Sequence, residues 1–501
     1  MTANKPPHIL IFNPDQWRGD VLGHMGNPAA VTPVLDDLVA GEAVSFRRAF
    51  CQNPVCTPSR CSFMTGLYPH VRGHRTMYHM LHAEHGETNL LKLLKDSGYY
   101  VWWGGKNDLL PGQTPSAAHT DMRAWHNGEA LHRRGLTARR DRHNVDDWRG
   151  PPGGDNYYSF YCGRLDKGDE PIYGDNDWAN ILAAMDFVQN YRGDKPLCIF
   201  LSLGYPHPPY GVEEPFYSMI DRAKLPGRTS PPDGWAGKPS ILGGIAEGQG
   251  MGGWSEERWT ELRAVYYGMC TRVDHQLGLL IDAMKQAGMW DDTAMFMFAD
   301  HGDFTGDYGL VEKTQNTFED CLTRVPFVVK PPRGVDVKPR VSEAIVELVD
   351  FPATVFELAG INPGYTHFGR SLLDVLAGRT DEHRDAAFCE GGRLAGEESA
   401  MEKQSTSSCR PSGLYYPRIR LQAIDEPPYH TKAAMCRMKE FKYVRRLYEG
   451  DELYDLATDP QERCNVIDRP EHAQTLATLK DRMLRWYQET CDTVPWQADR
   501  R

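Results

Sequence analysis

Short apolar runs separated by amphipathic segments dominate the hydrophobic pattern of the chain. Four of these runs consist mainly of aliphatic, methionine and aromatic residues and predict buried strands, at residues 9–12, 99–103, 197–203 and 295–298. Between the last two, apolar residues recur every three or four positions over residues 256–287, which predicts one long amphipathic helix. Strands that alternate with helices favour an α/β fold with a large sheet covered on both faces.

Two stretches interrupt this alternation. Residues 111–180 are polar and rich in Arg, Asp, Gly and Tyr, and residues 225–255 are rich in Gly and Pro. Long insertions in a large enzyme often shape the entrance to the substrate site, so we expect substrate specificity to depend on them. A later polar stretch predicts a catalytic domain at 1–378 and a C-terminal subdomain at 379–501 with short strands and a final helix.

The composition is that of an acidic globular protein. Of 501 residues, 56 are Lys or Arg and 68 are Asp or Glu; the formal net charge of −12 argues against indiscriminate binding to nucleic acid or anionic lipid. The 12 cysteines form no C-x-x-C pair, which is typical of reduced thiols. The N-terminal segment lacks signal-peptide features, and no apolar run approaches the ~18 residues of a membrane helix. We therefore expect a cytoplasmic protein that binds neither nucleic acid nor membrane.

Charged residues follow the predicted strands directly. In chain order they are Asp15, Lys106, His207, Asp300 and His301. Open α/β sheets place their chemistry at the carboxyl ends of strands, so these residues are candidates for a common site. Each has an ordinary alternative, because a lone lysine is normally solvated and an Asp-His-Gly segment can be a helix-capping turn.

The most specific signal lies at residues 51–70. The segment reads C-Q-N-P-V-C-T-P-S-R-C-S-F-M-T-G-L-Y-P-H, in which Cys56 begins C-T-P-S-R. A lone cysteine is usually a small core residue. In this context, however, the segment resembles the signature of the type I sulfatases of the alkaline phosphatase superfamily, in which the motif cysteine is oxidised to Cα-formylglycine.

The resemblance implies an alkaline-phosphatase-like large mixed β-sheet flanked by helices, and a smaller C-terminal α+β domain with an antiparallel sheet. It also implies a nucleophile, because the aldehyde at position 56 would hydrate to a geminal diol. One diol oxygen would attack sulfur and expel the alcohol, and the other would collapse the hemiacetal ester to release sulfate. A serine could perform only the first step.

Sulfatases hold one divalent metal ion. The resemblance implies a site formed by Asp15, Gln16, Asp300, His301 and the modified Cys56. An all-oxygen site suits Ca²⁺ or Mg²⁺, whereas one imidazole nitrogen also suits Mn²⁺ or another transition metal. We expect Ca²⁺ first and Mn²⁺ second.

The resemblance also implies how the ester is held. Arg60, Lys106 and Lys313 would neutralise the transferred group, and like charges this close need an anion and metal-bound carboxylates to balance them. Asp300 would help to deprotonate the diol. His207 would protonate the leaving alcohol, because that step requires a group that titrates near neutrality.

Some positions depart from the family pattern. Many sulfatases read G-K-W-H after the second strand, whereas this chain reads K-N-D at 106–108, so either Asp108 is the base that collapses the hemiacetal or that role is absent. His74 and His79 lie beyond the nucleophile helix, and His79 is the better candidate for the substrate pocket. Gln16 in place of a second aspartate, together with the Asp-His pair, is similar to the phosphonate monoester hydrolase branch.

The predicted function is metal-dependent hydrolysis of a small anionic sulfate ester, either an aryl sulfate or a sulfated carbohydrate, with release of inorganic sulfate. One alternative is a phosphonate monoester or phosphodiester hydrolase that uses the same nucleophile. Another is an inactive anion-binding protein in which Cys56 stays a thiol. The predicted maturation partner is a formylglycine-generating enzyme, and a homo-oligomer is left open.

Overall fold

The structure is a computed structural model that describes residues 6–112, 114–124, 128–139, 148–397, 416–423, 429 and 431–494. Its strands are β1 His8–Asp15, β2 Val44–Phe50, β3 Tyr100–Gly105, β4 Met122–Ala124, β5 Tyr161–Arg164, β6 Leu197–Pro206, β7 Tyr210–Val212, β8 Thr293–Phe298, β9 Phe327–Lys330, β10 Arg340–Glu347, β11 Ala387–Gly391, β12 Ala433–Arg437, β13 Phe441–Arg446 and β14 Glu452–Asp455. Its α-helices are α1 Pro33–Gly41, α2 Cys56–Thr65, α3 Pro69–Arg72, α4 Leu90–Asp96, α5 Glu129–His132, α6 Asn176–Asn190, α7 Phe216–Met219, α8 Ser240–Gln249, α9 Glu256–Gln286, α10 Asp320–Thr323, α11 Asp350–Ala359, α12 Leu373–Leu376, α13 Tyr416–Ala423 and α14 Ala473–Thr490.

Eight of these strands form one mixed sheet, in the order β10-β2-β9-β8-β1-β6-β3-β4. Among them, β9 runs antiparallel to its neighbours β2 and β8, and every other pairing is parallel. β1 lies in the interior of the sheet, and its apolar residues are therefore buried on both faces. Its Ile9 pairs with Cys198 of β6 on one side and with Ala294 of β8 on the other.

Two groups of mutually packed helices flank the sheet. One group contains α1, α6 and α9, and the other contains α2, α4 and α11. The predicted helix at 256–287 is observed as α9, and it begins after Ser255, whose side chain accepts a hydrogen bond from the Arg258 N–H. The predicted α/β fold with a large mixed sheet is confirmed.

A second sheet, antiparallel throughout, lies in the C-terminal part of the chain. Its order is β11-β12-β13-β14, and α14 packs against β12 and β13. Trp486 of α14 is buried and stacks on Phe388 of β11, with ring centroids 4.5 Å apart. His70 of α3 contacts Glu390 of β11 at 2.6 Å, which fastens this sheet to the segment that follows α2. The predicted antiparallel sheet is confirmed, whereas the predicted domain boundary stays a prediction.

The two predicted insertions contain short regular elements. The first contributes β4, α5 and β5 among its described residues, and the second forms α8. β5 pairs with β7 in a parallel two-stranded sheet. Within the part of the chain that the structure describes, no helix is both long and apolar enough to cross a lipid bilayer.

Candidate active site

The charged residues that follow the predicted strands meet at one edge of the main sheet. Asp15 ends β1, Lys106 follows β3, His207 follows β6, and Asp300 and His301 follow β8. These four strands are parallel, so their carboxyl ends lie side by side. Both aspartates and His301 are fully buried.

Cys56 is the first residue of α2, a helix that is buried along its whole length. Its Sγ atom lies 3.2 Å from His301 Nε2 and 3.5 Å from Asp15 Oδ1. Lys106 Nζ is 3.6 Å away. Burial and the charge of Asp15 raise the pKa of the thiol well above its usual value, although Lys106 and Lys313 oppose the shift. The thiol is therefore neutral and a poor nucleophile.

Four buried side chains form a group that fits a metal ion. Asp15, Cys56, Asp300 and His301 each place one ligand atom within 4.8 Å of the others. The Nδ1 of His301 lies 2.9 Å from the Gly302 carbonyl oxygen, to which it donates, so Nε2 presents its lone pair to the group. Burial lowers the pKa of His301, which favours the neutral imidazole. Carboxylates with a neutral imidazole are a donor set for a divalent cation.

Two of the predicted cations contact the carboxylates of this group. Arg60 Nη2 lies 2.8 Å from Asp300 Oδ2 and 3.3 Å from Asp15 Oδ2. Lys106 Nζ lies 2.6 Å from Asp15 Oδ2. Burial would raise the pKa of Asp15, but Lys106, His207 and Arg60 outweigh it and hold the pKa well below its usual value. Asp15 is therefore ionised.

The third predicted cation, Lys313, contacts the predicted general acid. Its Nζ lies 3.0 Å from His207 Nε2 and 2.7 Å from Gln16 Oε1. Glu312 Oε1 is 2.7 Å from the same ammonium group. His207 Nδ1 lies 2.6 Å from the Pro208 carbonyl oxygen, so it is the Nε2 atom that faces Lys313.

Gln16 supports the site through its backbone and its side chain. Its φ of 71° lies in the left-handed region that favours glycine. In this conformation its N–H donates to Asp300 Oδ1 at 3.0 Å. Its amide oxygen accepts from Lys313, and its amide nitrogen donates to Asp303. The structure thus places Gln16 beside the metal group, and its role as a metal ligand stays a prediction.

The two remaining predicted pocket residues occupy different places. Asp108 Oδ2 lies 2.8 Å from Lys106 Nζ, so Asp108 stands next to the buried group. His79 is exposed, and its Nδ1 lies 2.9 Å from Thr76 Oγ1. The His79 ring therefore contacts its own loop, and its place in the substrate pocket stays a prediction.

Comparison with known proteins identifies the family. The profile of the family Sulfatase matches residues 7–361. The chain belongs to the sulfatase family. It is 26% identical to the arylsulfatase of Clostridium perfringens, with 96% of this chain and 94% of that protein covered. It is 25% identical to the multifunctional alkaline phosphatase superfamily protein PehA of Trinickia caryophylli, with 96% and 95% covered.

Solved structures agree on the fold. The phosphonate monoester hydrolase of Agrobacterium radiobacter superposes with a TM-score of 0.74 at 23% identity, with 97% of this chain and 96% of that chain covered. The predicted family is confirmed, and so is the prediction that the chain is a sulfuric ester hydrolase.

In this sulfatase, the loop that carries His207 is held by a residue that no sequence motif indicates. The carboxylate of Asp177 in α6 accepts hydrogen bonds from the N–H groups of Gly204 at 2.8 Å and Tyr205 at 2.7 Å. Burial and the neighbouring Asp175 raise the pKa of Asp177 to about 7. This contact fixes the end of β6 and, with it, the start of the loop that brings His207 to the candidate site.

Glu312 and Arg418 extend the candidate site beyond the predicted residues. Glu312 Oε2 lies 3.2 Å from Arg418 Nε, while its other oxygen contacts Lys313. Burial would raise the pKa of Glu312, but Arg418 and Lys313 hold it below its usual value. Glu312 is the sequence neighbour of Lys313, which could have indicated it. Nothing in the sequence points to Arg418.

Proposed function

We propose that this sulfatase hydrolyses a sulfate monoester, an aryl sulfate or a sulfated carbohydrate, through a formylglycine derived from Cys56. The observation that carries the proposal is the position of Cys56 in the buried group with Asp15, Asp300 and His301. The raised pKa of its thiol argues against an unmodified cysteine as nucleophile. The hydrated aldehyde would supply a nucleophilic oxygen at this position.

Asp15, Asp300 and His301 are the residues that would hold a divalent metal beside position 56. When bound, the metal would supply positive charge for the nucleophile and the ester oxygens. Arg60 contacts both carboxylates and thereby fixes their positions. Ca²⁺ is the first candidate, and Mn²⁺ is the second because an imidazole joins the oxygen ligands. Chelation with EDTA followed by addition of either ion alone tests this order through the recovery of activity and of Tm.

The roles of the protein groups follow from their positions. His207 is assigned to protonate the leaving alcohol from Nε2. This requires the imidazolium form, in which Nε2 carries a proton and no longer accepts a hydrogen bond from the Lys313 ammonium group 3.0 Å away. Lys106 and Lys313 are assigned to neutralise the ester oxygens. Asp300, whose ligand atom lies within 4.8 Å of Cys56 Sγ, is assigned to accept the proton of the nucleophile.

A phosphonate monoester or phosphodiester hydrolase with the same nucleophile is the second candidate. It is favoured by Gln16 beside Asp15 and His301 beside Asp300, a set similar to that branch. The values of kcat/KM on 4-nitrophenyl sulfate, 4-nitrophenyl phenylphosphonate and bis(4-nitrophenyl) phosphate distinguish the candidates. The highest value on the sulfate supports our proposal, and a much larger value on either phosphorus ester overturns it.

The mass of the tryptic peptide 49–60 tests the nucleophile. In active enzyme from the native host we expect the aldehyde form, which is lighter than the thiol form. Cys56→Ala should abolish turnover and leave the fold intact. Cys61→Ala is the matched control, because Cys61 is buried in the same helix and should not be needed for turnover. An active enzyme that carries only the thiol peptide, or turnover by Cys56→Ala, removes Cys56 from the mechanism.

Maturation requires a formylglycine-generating enzyme under this proposal. Co-expression with such an enzyme should raise both the aldehyde fraction of peptide 49–60 and the specific activity in proportion. The cytoplasmic location, the lack of nucleic-acid and membrane partners and the domain boundary near residue 378 stay predictions. A homo-oligomer stays open, and light scattering of the purified protein decides it.

A further inference from the structure

A second group of side chains that can bind a metal lies in the loop between α3 and α4. His82, Glu84 and His85 each place one ligand atom within 4.8 Å of the other two. Among the residues that the structure describes, only this group and the one at Cys56 bring three or more such ligand atoms together. His82 is half-buried, whereas Glu84 and His85 are exposed, so an ion from solution can reach all three. We call these three side chains the loop group.

The local backbone brings the loop group together. A single 3₁₀ turn spans Ala83–His85, and the His85 N–H donates to the His82 carbonyl oxygen at 3.0 Å. Side chains three residues apart in such a turn lie one above the other, and the two imidazole rings accordingly stack with centroids 4.9 Å apart. His82 Nδ1 lies 2.9 Å from Glu84 Oε1. Two ligands of one tetrahedral zinc ion lie about 3.4 Å apart, since each bond measures about 2.0–2.1 Å, so a small shift lets both atoms bind one ion.

Contacts behind the loop group hold it in place. One oxygen of the Glu87 carboxylate accepts a hydrogen bond from the His82 N–H at 2.7 Å, and the other lies 2.8 Å from Nε2 of the buried His74. Leu81, the residue before the group, is buried, and its N–H donates to the Leu109 carbonyl oxygen at 3.0 Å. Contacts of this kind orient metal ligands in advance and reduce the entropy that is lost on binding.

The ligand atoms of the loop group select the kind of ion. Two imidazoles and one carboxylate are a ligand set of Zn²⁺, with a water in the fourth position, whereas Ca²⁺ and Mg²⁺ prefer oxygen ligands alone. We propose that the loop group binds Zn²⁺ and that the ion stabilises the loop, which Leu81 joins to the segment that carries Asp108. This ion is additional to the one proposed at Cys56, and its binding does not depend on sulfate-ester hydrolysis.

Zinc binding to matched variants tests the proposal. Equilibrium dialysis with Zn²⁺ as the probe, in excess Ca²⁺, gives the number of zinc ions per chain and their Kd. His85→Ala and Glu84→Gln alter the loop group, and Cys56→Ala alters the other group. His132→Ala is the control, because His132 is also exposed and its substitution removes the same imidazole. Hydrogen exchange with and without Zn²⁺ locates the bound ion, and circular dichroism verifies that each variant is folded.

We expect the wild type to bind one more zinc ion per chain than His85→Ala. Glu84→Gln should raise the Kd of that ion by about tenfold or more, because a charged ligand is replaced by a neutral amide. His132→Ala and Cys56→Ala should retain the ion. Zn²⁺ should slow hydrogen exchange of the amides at residues 80–88 in the wild type and not in His85→Ala, because an ion that binds only the closed loop opposes its local opening.

Other outcomes overturn the proposal. The same number of zinc ions in the wild type and in His85→Ala shows that the loop group binds none. An equal loss in His132→Ala shows adventitious binding to surface histidines. Slower exchange that is absent from residues 80–88 places the ion elsewhere. If His85→Ala does not fold, Glu84→Gln takes its place, and an unchanged Kd in that variant overturns the proposal. Loss of the ion in Cys56→Ala assigns it to the other group.

Discussion

The pairing of buried charges around Arg60 determines how the site tolerates substitution. Arg60→Met leaves Asp15 and Asp300 buried without the guanidinium group that contacts both. Removing one partner of a buried ion pair costs about 3–5 kcal/mol, so we expect the free energy of unfolding in urea to fall by about that amount. Arg47→Met is the control, because Arg47 and Glu343 form a solvent-accessible pair worth at most about 1 kcal/mol. Equal losses in both variants would contradict this view of Arg60.

His207 can be tested by the quality of the leaving group. If His207 protonates the leaving alcohol, His207→Ala should lower kcat on phenyl sulfate by about 10²–10⁴-fold, the usual contribution of a general acid. The loss on 4-nitrophenyl sulfate should be much smaller, because 4-nitrophenolate leaves without protonation. His119→Ala, at another buried histidine that contacts Asn89 at 3.1 Å, should affect both esters alike. Equal losses on the two esters in His207→Ala would remove the acid role.

Much of the candidate site could be predicted from the residues at the ends of strands and from the motif around Cys56. Asp15, Asp300 and His301 could be expected together because parallel strands bring their carboxyl ends to one edge. The contact between Glu312 and Arg418 could not be predicted, because the two residues are far apart in the sequence and no local pattern indicates that their segments pack together. The role of His79 in the substrate pocket stays a prediction, because its distance along the chain from the nucleophile helix does not determine the direction in which the loop turns.

At the scale of elements, one carboxyl group joins α9 to α1. Asp274 accepts hydrogen bonds from the N–H groups of Val34 at 3.0 Å and Leu35 at 2.9 Å, at the start of α1. Burial raises its pKa to about 7. An unfolded aspartate titrates near ~3.9, so the folded chain keeps a proton that the unfolded chain has already lost. The free energy of unfolding should therefore fall as the pH rises from about 4 to about 7.

Asp274→Asn tests this contribution. The amide still accepts a hydrogen bond but does not titrate, so we expect the free energy of unfolding to change less between pH 5 and pH 8 than in the wild type. Chemical denaturation at the two pH values provides the measurement. Asp282→Asn, at an exposed position of the same helix, should retain the wild-type difference. The same difference in Asp274→Asn as in the wild type would show that Asp274 is ionised in the folded chain.

The strands that the sequence predicts are those whose residues are buried on both faces of the sheet. β1 and β8 are buried on both faces, so their apolar runs are continuous and recognisable. β2 reads V-S-F-R-R-A-F, and its two half-buried arginines interrupt the run, which is why the pattern does not predict it. The reversed direction of β9 has no local signal, because strand direction depends on the connections and not on the residues of the strand.

At the scale of the molecule, Trp486 holds α14 to the C-terminal sheet. Its ring is 2% exposed and contacts Phe388, Tyr68 and His70. Trp486→Ala should lower the free energy of unfolding by about 3–5 kcal/mol, as large-to-small core substitutions do. Leu484→Ala on the same helix should change it by less than about 0.5 kcal/mol, because Leu484 is 58% exposed. Similar values in the two variants would show that α14 does not depend on this ring.

β1 lies between β6 and β8, both of which the ribosome makes long after it. The edge of the sheet that encloses Cys56 cannot form until β8, which ends at residue 298, has emerged from the ribosome. In the finished fold Cys56 is only 1% exposed, so a modifying enzyme cannot reach it there. If Cys56 is converted as we propose, conversion and folding compete in time. Chains that fold first would then keep the thiol, and the active fraction of a preparation would be set before the chain has finished folding.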